Sequence, residues 1–301
     1  VTPAQIIILG FLLLIFTGAV LLMLPFSTQE PGGASFGDAL FTATSATCVT
    51  GLVTVVTASH WSMAGRVIIL LLIQMGVVTI AVAIFMFAGK RIGLKQRWVM
   101  QESISAPQVG GIVRMTGFIL KTAFLIEGIG ALLLALRFCP QFGLGRGLWY
   151  AVFHSVSAFC NAGFDLMGVN SPFSSLTDYV GDPLVSNVIA FLIIIGGVGF
   201  LTWNDIREHK LHFRRYRLQS KLILTTTLAL ILTGLLFFLL YEFEQGQWVD
   251  MSLWERINAA FFQSVTPRTA GFNTVDLTGL SQPAQLLIIL LMLVGGSPGS
   301  T

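Results

Sequence analysis

Apolar residues in this chain are gathered into long runs, with polar positions confined to the stretches between them. Five runs come close to or exceed the roughly 20 residues a helix needs to cross a bilayer core. They are Ile6 to Leu24, Val67 to Ala88, Met115 to Leu136, Leu184 to Trp203 and Leu222 to Tyr241. A sixth, Ala284 to Val294, is too short to cross. Between the members of each pair lies a shorter stretch that ends in glycine: Asp38 to Gly51, Gly147 to Gly163 and Leu253 to Gly271. Such lengths predict helices that enter the membrane and turn back. The pattern predicts an all-α polytopic membrane protein made of span, pore-helix, span units.

Aligning the three short stretches on their terminal glycines exposes an internal repeat. Ala39, Ala151 and Ala259 stand twelve residues before the glycine, and Phe41, Phe153 and Phe261 ten before. Leu52, Phe164 and Phe272 follow it directly, and Gly76, Gly196 and Gly295 recur in the second spans. The expected units are residues 1–90, 91–205 and 206–301, the last cut short within its second span and a fourth unit absent. Val1 at the start and a Gly/Ser-rich run ending at Thr301 give both ends the look of cuts in a longer chain.

Charge sets the orientation. The connections Gly89 to Lys121 and Asn204 to Lys221 hold twelve of the seventeen Lys and Arg but only three of the fourteen acids, which predicts a cytoplasmic location for both. Two connections on one side require two crossings per unit, as the re-entrant reading demands. Ten acids fall on the other side and predict an outer mouth attractive to cations, although each is also an ordinary loop charge. Charged residues make up 10% of the chain, far below the quarter typical of soluble domains. Three cysteines give no disulfide framework, and no secretory signal precedes the first run. Without a phosphate loop, metal-ligand spacing or dinucleotide motif, nothing argues for an enzyme or for nucleic-acid binding.

A helix that stops mid-membrane aims its carbonyl end at the bilayer centre, which favours a cation there. The strand after it can replace the water of a desolvated ion with backbone carbonyls. Glycine is expected at the tightest point, because turning carbonyls inward needs angles that a Cβ disfavours. Thr47-Cys48-Val49-Thr50-Gly51, Cys160-Asn161-Ala162-Gly163 and Thr269-Ala270-Gly271 are therefore candidate filter strands for K+. A helix C-cap explains any one of these glycines, but three at matched offsets favour the filter. The short sixth run leads into Gly295-Gly296-Ser297-Pro298-Gly299-Ser300-Thr301, where glycine and proline oppose helix at membrane depth. That segment is a candidate gate below the filter. Glu127, inside the third run, is either a functional ionisable group or a buried strut for a pore loop. Arg268, just before the third strand, is either a barrier to ions or a structural tie, the tie being favoured. His154 is expected to pack behind the filter.

The stretches Ser45 to Leu52, His154 to Phe164 and Gln263 to Asn273 resemble the first three pore loops of the Trk/Ktr/HKT superfamily, closest to the Ktr-type membrane subunit. The resemblance covers nearly the whole chain. It implies a pseudo-fourfold pore made by one polypeptide, with Gly51, Gly163 and Gly271 supplying three of four filter glycines. It further implies potassium uptake, Na+ as a candidate coupling ion, an obstructing intramembrane loop at Gly295 to Thr301, and a multi-pass place in a bacterial plasma membrane. A homodimer seated on a cytoplasmic ring of nucleotide-binding regulatory subunits is implied on the same basis. Cys48, where a hydroxyl is expected, and Val77-Val78-Thr79 after Gly76 depart from the family pattern. The rival reading is a secondary transporter of a small solute, with broken helices around a midplane site.

Overall fold

The computed structural model describes residues 3–77, 112–169, 171–210, 212–297 and 300. Helices dominate, and the β-pairing among these residues is a single bridge between Thr28 and Trp61. The first unit consists of α1 (Pro3–Met23), α2 (Phe36–Thr47) and α3 (Met63–Val77), with each helix packed on the other two. The second unit contains α4 (Ile112–Phe142), α5 (Leu144–Phe159) and α6 (Pro183–Val198), packed in the same way. Next come α7 (Phe200–His209), α8 (Leu218–Phe237), α9 (Leu253–Val265) and α10 (Gln282–Val294). Contacts of α3 with α5, and of α6 with α8 and α9, join neighbouring units.

The short helices start where the sequence supplies caps. Ser35 caps α2, and Ser252 with Glu255 forms a reciprocal capping box on α9. Asp182 accepts from the amides of Leu184 and Val185 at the start of α6, where Pro183 presets the first turn. At 1.5 Å per residue, α2, α5 and α9 reach only about 18 to 24 Å, short of a core of roughly 30 Å. They are too short to cross, as expected. Their matched alanines, Ala39, Ala151 and Ala259, are all fully buried, which lets the flanking helices close on them.

Three described segments are long and apolar enough to span: Gln5–Met23, Met115–Phe142 and Leu218–Glu242. The last includes a π-helical turn over Phe238–Glu242. The outward faces are apolar, with Leu13, Leu132, Leu240 and Leu293 between 68% and 83% exposed, as a lipid-facing surface requires. The expected run from Val67 to Ala88 is helical through Val77, and its remainder lies outside the described residues, as do Lys95 and most of the first basic connection.

One expectation is corrected. Leu184 to Trp203 is not a continuous span, because α6 and α7 meet at 90°. Gly199 sits at the break with φ +91°, a backbone that glycine alone adopts easily, and three further small or β-branched residues precede it. The break is stitched by the Trp203 indole, which donates to the Ile195 carbonyl at 3.0 Å and packs on Phe159 and Phe200.

Beyond the bend, fully buried Asp205 holds the turn into α8. It accepts from the Ser220 hydroxyl at 2.6 Å and the Arg217 amide at 3.0 Å, with the Arg217 guanidinium 3.5 Å away. Replacing Asp205 with alanine leaves those donors without an acceptor, so a stability loss of about 2–3 kcal/mol is expected. Thermal unfolding of the purified full-length variant checks this, and an unchanged midpoint would refute it.

Candidate ion pathway

The three candidate filter strands meet at one point, although more than a hundred residues separate each from the next. A Cβ built on Gly51 would lie 2.7 Å from the Ala162 carbonyl oxygen and 3.3 Å from the Gly163 Cα. One on Gly163 would lie 2.6 Å from the Ala270 oxygen, 3.2 Å from the Gly271 Cα and 3.3 Å from the Gly51 Cα. One on Gly271 would meet only the Gly163 Cα, at 3.4 Å. The contacts follow a rotation: Gly51 and Gly163 each lean on the carbonyl that precedes the next glycine. The middle strand, Cys160 to Gly163, is buried between the other two, whereas Cys48, Thr50, Thr269 and Gly271 are exposed.

The backbone repeats as well. Gly51, Gly163 and Gly271 have φ of +78°, +66° and +82°, and two residues before each stand Val49, Asn161 and Thr269 at +55°, +55° and +82°. Left-handed backbone at alternate residues brings successive carbonyls, which alternate sides in a regular strand, towards one side. Asparagine enters this region fairly readily, but a β-branched valine or threonine does not, so the surroundings must impose it. The amides of Thr50 and Ala162, each the residue before its glycine, donate to the carbonyls of Ser45 and Ser157 at 2.8 Å, five places back in both loops. The Ser157 hydroxyl donates to the Phe164 carbonyl at 2.7 Å and the Thr266 hydroxyl to that of Phe272 at 2.5 Å, pinning the chain beyond the glycine. Pro267 offers no amide, and α9 ends earlier relative to its glycine than α2 and α5 do.

Glycines of the second helices let them approach these strands. A Cβ on Gly76 would fall 2.0 Å from the Thr47 oxygen, and one on Gly295 would lie 3.8 Å from the Thr269 methyl. In the second unit it is Gly197, beside the expected Gly196, that faces its strand, 3.8 Å from the Asn161 amide nitrogen.

Glu127, 5% exposed, lies behind the middle strand. It accepts from Gln74 Nε2 at 3.2 Å and its Oε1 is 3.8 Å from Cys160 Sγ, while its backbone carbonyl takes the Ser155 hydroxyl at 2.7 Å. These contacts link α4 to Gln74 of α3, to Ser155 of α5 and to Cys160 of the second loop. His154 is fully buried, with Nε2 accepting from the Leu166 amide at 3.2 Å and Nδ1 bonded to the Tyr150 carbonyl at 2.7 Å. Both ring nitrogens are used within the protein, which leaves none for an ion.

Arg268 Nη2 donates to the Gly295 carbonyl at 3.3 Å, and the Ser297 amide donates to the Gly197 carbonyl at 3.2 Å. Helix α10 stops at Val294, and Gly295 turns the chain with φ +53°. The Gly295 to Ser297 segment thereby spans from the third loop to the end of α6, and a cavity of about 10 Å³ lined by Gly197, Arg268 and Gly296 lies beside it, room for about one water. Ser300 is described, whereas Pro298, Gly299 and Thr301 lie outside the described residues.

Several of the acids expected on the outer side serve local structure. Asp182 and Glu255 cap helices, Glu242 accepts from the Ser281 amide at 2.9 Å, and Asp38 accepts from the Thr54 hydroxyl at 2.8 Å. Asp205, Glu208 and His209 bring ligand atoms within 4.8 Å of one another. Asp205 is already committed to Ser220 and Arg217, and Glu208 accepts from Asn204 at 3.0 Å, so the trio reads as a structural junction. Cys48, Cys139 and Cys160 are all unpaired.

Residues 2–301 match the TrkH family, described as cation transport protein. The chain is 41% identical to the potassium/sodium uptake protein NtpJ of Enterococcus hirae and 42% identical to the Ktr system potassium uptake protein B of Bacillus subtilis. All of the chain is covered in both comparisons, and it spans 66% of the length of each relative. Among solved structures it is similar to the potassium transporter TrkH of Vibrio parahaemolyticus, with a TM-score of 0.68 and 19% identity over 97% of this chain and 57% of that one. The likeness shows a shared membrane fold. This multi-pass membrane chain belongs to the TrkH family of cation transport proteins.

Proposed function

We propose that the full-length protein admits K+ across the plasma membrane through a pore whose narrowest part is made by the strands ending at Gly51, Gly163 and Gly271. One observation carries the reading: three loops, each left-handed at its glycine and two residues before it, converge within van der Waals distance. Carbonyls turned to one side can replace the hydration of a monovalent cation without placing a fixed charge in its path. The names of the relatives, potassium and potassium/sodium uptake proteins, agree with this cargo.

In this reading K+ is the cargo and Na+ a second or coupling ion. The pore is pseudo-fourfold, and the position after Gly271 in the rotation belongs to a fourth loop. Residues 1–90, 91–205 and 206–301 are its first three units, and the segment from Gly295 is its gate. A homodimer on a cytoplasmic nucleotide-binding ring completes the assembly, supported by the family resemblance alone. Purified full-length protein in proteoliposomes should carry 86Rb+ down a K+ gradient, and K+ should compete more strongly than Na+. Absence of cation flux in a folded, correctly inserted protein would overturn the proposal.

The orientation gives a further prediction. Arg214 lies exposed in the basic connection between α7 and α8. A single cysteine at position 214 in a cysteine-free background should react with an impermeant thiol reagent only from the cytoplasmic side, as should one at Lys95. Labelling of either from outside would invert the arrangement.

A further inference from the structure

We propose that the cleft between the first two units, at the end where the pore helices begin, binds the phosphate headgroup of an anionic phospholipid. The cavity there measures about 510 Å³, within the roughly 300–1,000 Å³ of small-ligand sites. Its wall brings together Arg66 at the start of α3 and Arg146, Trp149 and Tyr150 at the start of α5, and no acidic side chain lines it.

Gln29, Ser62 and Arg66 donate to backbone carbonyls, whereas three donors of the α5 wall lack acceptors. The Arg146 side chain makes no ion pair or hydrogen bond among the described residues. Tyr150 is 6% exposed and gives its backbone carbonyl to His154, while its hydroxyl has no hydrogen-bond partner among the described residues. The Trp149 indole nitrogen is buried and equally unpartnered. Helix α5 begins at Gly143 without a side-chain cap and with no acid in its first turn, so its free amides and partial positive charge add to the same wall. Arg66 is held in place by the carbonyls of Trp61, at 3.0 Å, and Ala58.

A cavity of donors with two guanidinium groups and no carboxylate calls for a multiply accepting anion, and phosphate matches guanidinium geometry. The rim decides between a soluble phosphate and a lipid. Met63 lines the cavity and is 53% exposed, and Leu144 and Leu148, adjacent in the chain to the lining residues Gly145 and Trp149, are 73% and 44% exposed, an apolar surface on which acyl chains can lie. Tryptophan at such a boundary suits the headgroup level. The cleft also lies across the contact of α3 with α5, so a bound headgroup would brace the first unit against the second.

The test uses full-length protein in detergent, titrated with phosphatidylglycerol, phosphatidylcholine or glycerol 3-phosphate and read by native mass spectrometry and thermal unfolding. Phosphatidylglycerol should be retained in preference to phosphatidylcholine and should raise the unfolding midpoint. Arg146→Gln should weaken that retention about tenfold, the scale of a hydrogen bond to a charged group, and Tyr150→Phe about threefold. Arg214→Gln, at the opposite end, should leave it unchanged. Equal retention of the two lipids, or wild-type retention by Arg146→Gln, would overturn the proposal. Displacement of phosphatidylglycerol by an equal concentration of glycerol 3-phosphate would assign the site to a soluble anion and overturn the lipid assignment.

Discussion

Gly163→Ser in the full-length protein is expected to reduce discrimination of K+ over Na+ by at least about tenfold, a change of about 1.4 kcal/mol in relative ion stabilisation. The added Cβ would fall 2.6 Å from the Ala270 oxygen and 3.2 Å from the Gly271 Cα. Both neighbours are backbone, so no side chain can swing aside, and relief requires the third strand to move. The φ of +66° adds strain for any L side chain. Movement of either strand changes the spacing and field of the carbonyls, which is where selectivity resides in the proposed filter. Gly51→Ser should act in the same direction, with its Cβ 2.7 Å from the Ala162 oxygen. Gly271→Ser should have the smallest effect of the three measured in this chain's own contacts, because its Cβ would meet only a Cα at 3.4 Å. Paired 86Rb+ and 22Na+ uptake into proteoliposomes reads the ratio. Unchanged ratios in both the Gly51 and Gly163 variants would remove these glycines from the filter.

Releasing the segment after α10 should raise flux without altering ion preference. Its described part is held at two points, Arg268 Nη2 to the Gly295 carbonyl and the Ser297 amide to the Gly197 carbonyl. The first is a hydrogen bond from a charged donor, worth roughly 1.5–3 kcal/mol, so its loss in Arg268→Gln should shift a closed-to-open balance by about tenfold or more. Shortening the Gly295 to Thr301 segment removes both ties and should have the larger effect. Neither change touches Gly51 or Gly163, so the Rb+/Na+ ratio should stay near wild type while the initial rate rises and control by regulatory subunits weakens. Wild-type flux and regulation in a shortened protein that inserts normally would defeat the gate reading. A changed ratio with unchanged flux would instead assign Arg268 to the filter.

These two expectations differ in what made them legible. The glycines announced themselves by offset, since Gly51, Gly163 and Gly271 follow matched alanines and phenylalanines in helices too short to cross. The broken third-unit helix was equally plain, because eleven apolar residues before a glycine and proline run cannot span a core of roughly 30 Å. By contrast, the left-handed turns at Val49 and Thr269 had no signal. A β-branched residue is the last that propensity would place there, and only the surrounding bonds, such as those from Thr50 to Ser45, hold the backbone in that form.

Three other decisions also belonged to the tertiary structure. Leu184 to Trp203 has the composition of a span, and hydropathy does not register a single glycine at φ +91° that turns the helix by 90°. The partners of Glu127 were invisible until α3 brought Gln74 to its carboxylate and the second loop brought Cys160. Arg146 and Tyr150 passed unnoticed, because a donor is conspicuous only once packing has left it without an acceptor. The sequence by itself determined the membrane class and the matched spacing of the glycine-ended stretches, since each follows from local composition or from spacing along the chain. Which groups face one another across units was decided by packing, because contacts between residues a hundred positions apart leave no periodic trace in either segment.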